Sequence, residues 1–171
     1  MEIYLIRHTT PDIAPGMVYG RSDVPLAATF ADELLCVRQR LPHPVDAVYS
    51  SPSGRCRRLA HALREDYNVD ERLYEVDFGN WEGKTWAEIC PEELNPWMED
   101  FVHQCPPGGE SLLQMHGRVL SFWEELQQQR HQRVAVVTHG GVIRLLLAAR
   151  DNIPLSGMFD IEAPYGGVFL W

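Results

Sequence analysis

A chain of 171 residues, 45% hydrophobic and 23% charged, is long enough to bury a sizeable core as a single domain and has an ordinary globular composition. Its net charge of −9 argues against general binding to nucleic acid or membrane surfaces, both of which call for a basic face. No apolar run reaches the roughly 18 residues that a bilayer crossing requires. The start carries a charge at Glu2 and lacks a basic segment and a small-residue cleavage site, so no secretory signal is expected and a cytoplasmic location is. The four cysteines, Cys36, Cys56, Cys90 and Cys105, have no CxxC spacing and read as reduced, mostly buried thiols.

Glu2 to Ile6 reads as a strand, followed by some twenty residues rich in Pro and Gly without periodicity. Loops of that length in compact domains are often functional. Residues 29–41 carry helical spacing in Phe30, Leu34, Val37 and Leu41, with Thr29 as a candidate N-cap. Residues 45–50 alternate as a strand, and 53–66 form a helix with Ser53 as its candidate cap. A short strand-like piece is expected at 72–76 and a loop at 77–84. Residues 85–88 have capping-box spacing and open a short helix stopped near Pro91, with a weak helix over 92–103. After a break at 105–109, residues 110–130 form the longest helix, with Leu112, Met115, Val119, Phe122 and Leu126 on one stripe. Residues 133–138, "RVAVVT", are a continuous apolar run, the mark of a strand covered on both faces. A helix follows at 140–151, then two strands at 158–163 and 166–171. Strands alternating with helices predict an α/β domain with a largely parallel sheet, whose ligands bind beyond the carboxyl ends of the strands.

Three of those ends carry basic groups. The first strand ends in Arg7 and His8, the second leads to Arg55 at the start of a helix, and the apolar strand ends in His139 followed by Gly140 and Gly141. If the three strands are neighbours, two guanidiniums, two imidazoles and the bare amides of a helix N-terminus converge. Of fifteen basic residues only Lys84 is lysine, and arginine is the side chain suited to gripping phosphate through paired hydrogen bonds. The natural ligand of such a cluster is a phosphoryl group. A neutral imidazole can attack it, and a leaving alkoxide then needs an acid. The candidates lie in "YEVDFGNWEG": Glu75, at the end of the strand-like piece, with Glu82 as the fallback.

These segments resemble the histidine phosphatase (phosphoglycerate mutase-like) superfamily. The carriers are "LIRHTT", "GRSDVPL", "SSPSGRCRRLA", "YEVDFGNWEGKT" and "VVTHGGVIR", in family order over residues 3 to 144, with "APYGGVFLW" similar to the closing strand. The resemblance implies a three-layer α/β/α sandwich over residues 1–171, with a short cap around 77–108. It implies His8 as nucleophile, Arg7 and Arg55 as phosphate ligands, His139 as a further donor and Glu75 as acid, with Gly140 beside the phosphate. It calls for no metal or other cofactor and for a small phosphorylated substrate as the one partner, monomer or homodimer being left open. Thr9 stands where the family usually has glycine, and the family's phosphate-contacting asparagine has no counterpart in "TPDIA". The short stretch between residues 90 and 108 favours a phosphatase over a mutase. The form of residues 7–26 resembles the α-ribazole-5′-phosphate phosphatase branch, with Arg21 and Trp81 as candidate substrate contacts. The competing readings are a mutase, a broad sugar-phosphate or nucleotide phosphatase, and a binding module without turnover. Of the other histidines, His43, His61, His103, His116 and His131 show no ligand spacing and are expected at the surface.

Overall fold

A computed structural model describes residues 1–42 and 44–171, so the expectation for His43 lies outside the described residues. The framework consists of β1 (Glu2–Arg7), α1 (Phe30–Arg40), β2 (Ala47–Ser50), α2 (Gly54–Leu63), β3 (Asn68–Val69), α3 (Pro91–Glu99), α4 (Leu112–Gln127), β4 (Arg133–Thr138), α5 (Gly140–Asp151) and β5 (Val168–Leu170). The five strands form one sheet in the order β3-β2-β4-β1-β5, parallel except for β5, which runs antiparallel to β1.

Side-chain alternation along the central strands builds the layers. Ile3, Leu5, Val134 and Val136 face α4 and α5 in one core with Met115, Phe122, Ile143 and Leu146. Ile6, Val48, Ala135 and Val137 face α1 and α2 in a second core with Val37, Cys56 and Leu59. Helices on both faces of a mostly parallel sheet make this a three-layer α/β/α sandwich, as expected. A third small core, Val18, Trp81 and Ile89, underlies the 77–108 segment.

The departures have local causes. The strand expected at 72–76 is a single 3-10 turn, Glu71–Leu73, followed by extended chain; the pairing strand is the two-residue edge β3 just before it. Asp70 accepts from the Arg72 amide and bends the chain out of the sheet there. Pro91 opens α3 rather than stopping a helix, because proline at the first helical position gives up only an amide that would lack a partner. The strand expected at 158–163 is a 3-10 helix, Leu155–Asp160. Thr29 and Ser53 occupy N-cap positions without capping through their side chains. Thr29 Oγ1 donates to Glu33 instead, and the first amide of α2 is met by Asp23 of the distant "GRSDVPL" loop, at 2.9 Å. Only Cys56 of the four cysteines is buried. His61 and His103 are exposed, whereas His116 and His131 are half-buried.

Leu5 is fully buried at the centre of β1, between Val136 and Phe169. Leu5→Ala is expected to cost about 2–5 kcal/mol. Urea denaturation should show this as a lower midpoint with an unchanged slope.

Candidate active site

β2, β4 and β1 are consecutive in the sheet, so their carboxyl ends lie side by side. Past the ends of the strands, the His8 amide donates to Thr138 O and the Ser51 amide to Val137 O, both at 3.0 Å. This extension of the ladder fixes where His8, His139 and Ser51 leave the sheet. The His8 and His139 rings meet edge to face at 5.3 Å. Both are buried, at 1% and 0% exposure.

Arg55, also 1% exposed, joins them. Its Nε donates to His8 Nε2 at 3.3 Å, and its Nη2 donates to His139 Nδ1 at 3.2 Å and to Gly20 O at 2.6 Å. Its Nη1 donates to Ser22 O at 2.8 Å. These bonds settle the tautomers. Thr9 O, 2.8 Å from His8 Nδ1, can only accept, so Nδ1 carries the proton and Nε2 a lone pair. His139 accepts at Nδ1 and donates from Nε2 to Ser51 Oγ at 2.7 Å. Burial, reinforced by the Arg55 charge, pushes the His8 pKa down to about 3, and the same two causes hold His139 well below the ordinary histidine range. Both imidazoles are neutral.

Arg7 Nη1 donates to Ala163 O at 2.5 Å, while its buried Nε has no partner among the described residues. Among the described residues, no carboxylate lies within ion-pair distance of Arg7 or Arg55. Uncompensated positive charge on the buried Arg55 and the half-buried Arg7, in a chain of charge −9, makes this the place where an anion is best received. Gly140 is where Arg7 meets α5: a Cβ there would come within 3.1 Å of Arg7 Cζ and 2.9 Å of Arg144 Nη1.

Glu75 reaches the same helix end. Its Oε2 accepts from the Gly141 amide and its Oε1 from the Val76 amide, each at 3.0 Å. A Cβ on Gly141 would run into the Glu75 carboxylate. Glu82, the fallback, is used otherwise. It accepts from the amides of Arg21, Ser22 and Phe78 and from the Ser22 hydroxyl, joining the 20–22 loop to 78–82. Burial alone would raise its pKa, but those hydrogen bonds outweigh it and hold the carboxylate below its ordinary value.

A cleft of about 370 Å³ opens beside the cluster. Glu75, Arg7, Gly141 and Arg144 line its deep end; Trp86, Trp97, Phe78, Phe101 and Phe159 line the rest. Trp86 and Trp97 stack at 5.8 Å with their planes 24° apart. Tyr19 and Tyr165 bridge the cluster's edge through their hydroxyls, 2.6 Å apart. The Tyr165 ring lies 3.8 Å from Arg7 Cζ and 5.5 Å from the His8 ring. Burial and that bridge raise the Tyr19 pKa, so its hydroxyl stays protonated.

Two expected substrate contacts are not in the cleft. Arg21 turns to Asp77 and Glu110, at 3.7 and 3.4 Å, and borders a separate groove with Tyr74 and Arg118. Trp81 is a fully buried packing residue whose Nε1 donates to Glu93. Conversely, Arg144, Tyr19, Tyr165 and the Trp86–Trp97 pair carried no expectation. Arg144 had a readable signal: it lies one helical turn beyond Gly140 and so on the same face. The aromatic residues had none, because only the fold brings residues 19, 86, 97 and 165 together.

Comparison with known proteins agrees with this geometry. Residues 3–170 match the histidine phosphatase superfamily (branch 1). A putative phosphoserine phosphatase 2 of Hydrogenobacter thermophilus is 30% identical over 98% of this chain and 87% of its own length. An adenosylcobalamin/alpha-ribazole phosphatase of Escherichia coli is 28% identical over 97% and 87%. The crystal structure of the alpha-ribazole phosphatase from Shigella flexneri superposes with a TM-score of 0.90 at 26% identity, covering 99% of this chain and 89% of that one. The chain belongs to the histidine phosphatase superfamily and is a phosphomonoester hydrolase.

Gly141→Ala should displace the Glu75 carboxylate and lower turnover about tenfold or more while leaving the fold intact, as read by steady-state kinetics beside circular dichroism. The neutral, buried histidines also set an acid limit. Their folded pKa values lie below the unfolded value of about 6.5, so below there, and for His8 down to about pH 3, the unfolded chain binds more protons and stability falls as pH falls. The slope reaches about 1.4 kcal/mol per pH unit for each histidine. Urea midpoints measured from pH 7 to 4 should follow it, and His8→Asn should flatten it.

Proposed function

We propose that the chain hydrolyses phosphate monoesters through a phosphohistidine on His8, and that its preferred substrate is α-ribazole 5′-phosphate. The observation that carries the first part is a neutral imidazole whose Nε2 lone pair faces an uncompensated guanidinium, beside a second guanidinium and the N-terminus of α5. At rest the lone pair accepts from Arg55; a phosphoryl oxygen takes over that donor and frees Nε2 to attack. The Tyr19–Tyr165 bridge has to part for the phosphoryl group to reach it, since His8 is otherwise enclosed.

In the first step the Nε2–P bond forms, the ester P–O bond breaks, and Glu75 gives its proton to the leaving oxygen. In the second, Glu75 takes a proton from water, the water oxygen attacks phosphorus, and the N–P bond breaks to release phosphate. Arg7, Arg55 and His139, with the Gly140 end of α5, hold the charge on the equatorial oxygens through both steps. Arg21 has no part in this reading, and neither step draws on a metal or other cofactor.

The substrate follows from the cleft. The leaving alcohol passes Glu75 into a channel walled by stacked tryptophans and phenylalanines, suited to a flat, apolar heteroaromatic group. The 77–108 segment, which supplies Phe78, Trp86, Trp97 and Phe101, acts as the cap. The named likeness to alpha-ribazole phosphatases supports the same substrate. A second reading, phosphoserine, has its own support: Arg144 lines the cleft and makes no ion pair among the described residues, and the Hydrogenobacter relative carries that name.

His8→Ala should abolish hydrolysis of 4-nitrophenyl phosphate, whereas EDTA should not; full activity of the variant would overturn the mechanism. In a panel of α-ribazole 5′-phosphate, O-phosphoserine and 3-phosphoglycerate, kcat/KM should be highest for the first. Trp97→Ala should lower it about tenfold for that substrate with little change for phosphoserine. A preference for phosphoserine would establish the second reading.

A further inference from the structure

Glu75 sits in a segment that the sheet does not hold. After the turn at Glu71–Leu73 the chain runs extended without a strand partner, and Glu75 must nevertheless face both His8 and the end of α5. Its backbone is fixed from the other side by Arg118, in the second turn of α4. Arg118 Nη1 donates to Arg72 O and to Tyr74 O, each at 2.7 Å, and Nη2 donates to Glu75 O at 3.1 Å. The remaining carbonyl of the stretch, Leu73 O, accepts from Thr138 Oγ1 at 2.9 Å. The fork is closed by Glu110, which accepts from Arg118 Nε at 3.1 Å and from Nη2 at 2.5 Å. Glu110 also accepts the Asp77 amide at 3.1 Å and gives its own amide to Asp77 O at 2.9 Å. Burial would raise the Glu110 pKa, but Arg118 first, then Asp77 and Arg21, outweigh it and keep it ionised.

We infer that Arg118, locked by Glu110, is the positioning residue of the acid, holding the 72–77 backbone so that Glu75 meets the leaving oxygen and then the attacking water. This rests on the assignment of Glu75 as acid and base. Arg118 touches no reacting atom: the α5 amide of Gly141 holds the carboxylate, and Arg118 holds the chain that carries it. Its five N–H groups are all engaged, in a planar fork that a lysine ammonium cannot reproduce. The carbonyls it gathers are contiguous with the acid, so its loss is felt at Glu75 before it is felt at His8, which is fixed by the sheet.

The two steps separate the roles. The leaving group of 4-nitrophenyl phosphate departs as a phenolate without a proton, so phosphorylation of His8 survives loss of the acid, whereas the attack of water still needs the base. Glu75→Gln should release a burst of one equivalent of nitrophenolate per chain and then turn over slowly. Arg118→Lys and Arg118→Met should show the same signature: a full burst, with steady turnover lowered about tenfold or more. Two variants are needed because Arg118→Met leaves the half-buried Glu110 with Arg21 as its one ion-pair partner among the described residues, whereas Arg118→Lys retains the charge. Steady turnover within about threefold of the parent in both, or burst and turnover lost together in both, overturns the positioning role. If Glu75→Gln itself turns over at the parent rate, the acid assignment fails and this inference with it. If Glu75→Gln bursts and the Arg118 variants behave as the parent, only the positioning role fails.

Discussion

Everything at the carboxyl end of this sheet is arranged around one buried guanidinium. Arg55 has no carboxylate at ion-pair distance, and a charge in that situation costs several kcal/mol unless other groups solvate it. Here two loop carbonyls and two imidazole nitrogens do so. Three consequences follow from that choice of partners. The loop at Gly20–Ser22 is drawn onto the site, the histidines are held neutral, and the ring tautomers are settled. An acidic partner in place of the carbonyls would have stabilised Arg55 better and left it less use for an anion.

The electrostatics of the two faces are thus opposite. On the anion side, positive charge is left without a counter-charge. On the acid side, each charge is met: Arg118 with Glu110, Arg72 with Asp70, and Glu82 with a set of amides. Glu75 lies at the boundary between these regimes. Its oxygens accept from the backbone amides of Val76 and Gly141.

Much of the site was legible in the chain because its residues sit at strand ends, and strands were readable from apolar runs. "RVAVVT" is buried on both faces, and its boundaries fall where its composition changes. The same logic placed His8, Arg55 and His139 together once β2, β4 and β1 proved to be neighbours. It failed where local preference and tertiary partner disagree. "RLYEV" has strand composition, yet Asp70 turns it, and Arg118, from a distant helix, takes its carbonyls. Ser53 has the right type to cap α2, but Asp23 reaches the first amide. Arg21 has the right charge for a substrate contact, but Asp77 and Glu110 claim it. The aromatic cleft has no sequence period at all, since its walls come from many separate segments between Arg7 and Tyr165.

The antiparallel pairing of β5 with β1 has a consequence for how the site is closed. Arg7 is anchored on Ala163 O, 156 residues away, and the Arg7 amide on Gly167 O. The His8 carbonyl accepts from the Gly166 amide, and Tyr165 stacks on Arg7. Arg7 and His8 are thus walled by residues more than 150 positions further along the chain. Contacts of such separation carry a loop-closure cost that local contacts do not. The wall around Arg7 is complete only once β5 has docked on β1.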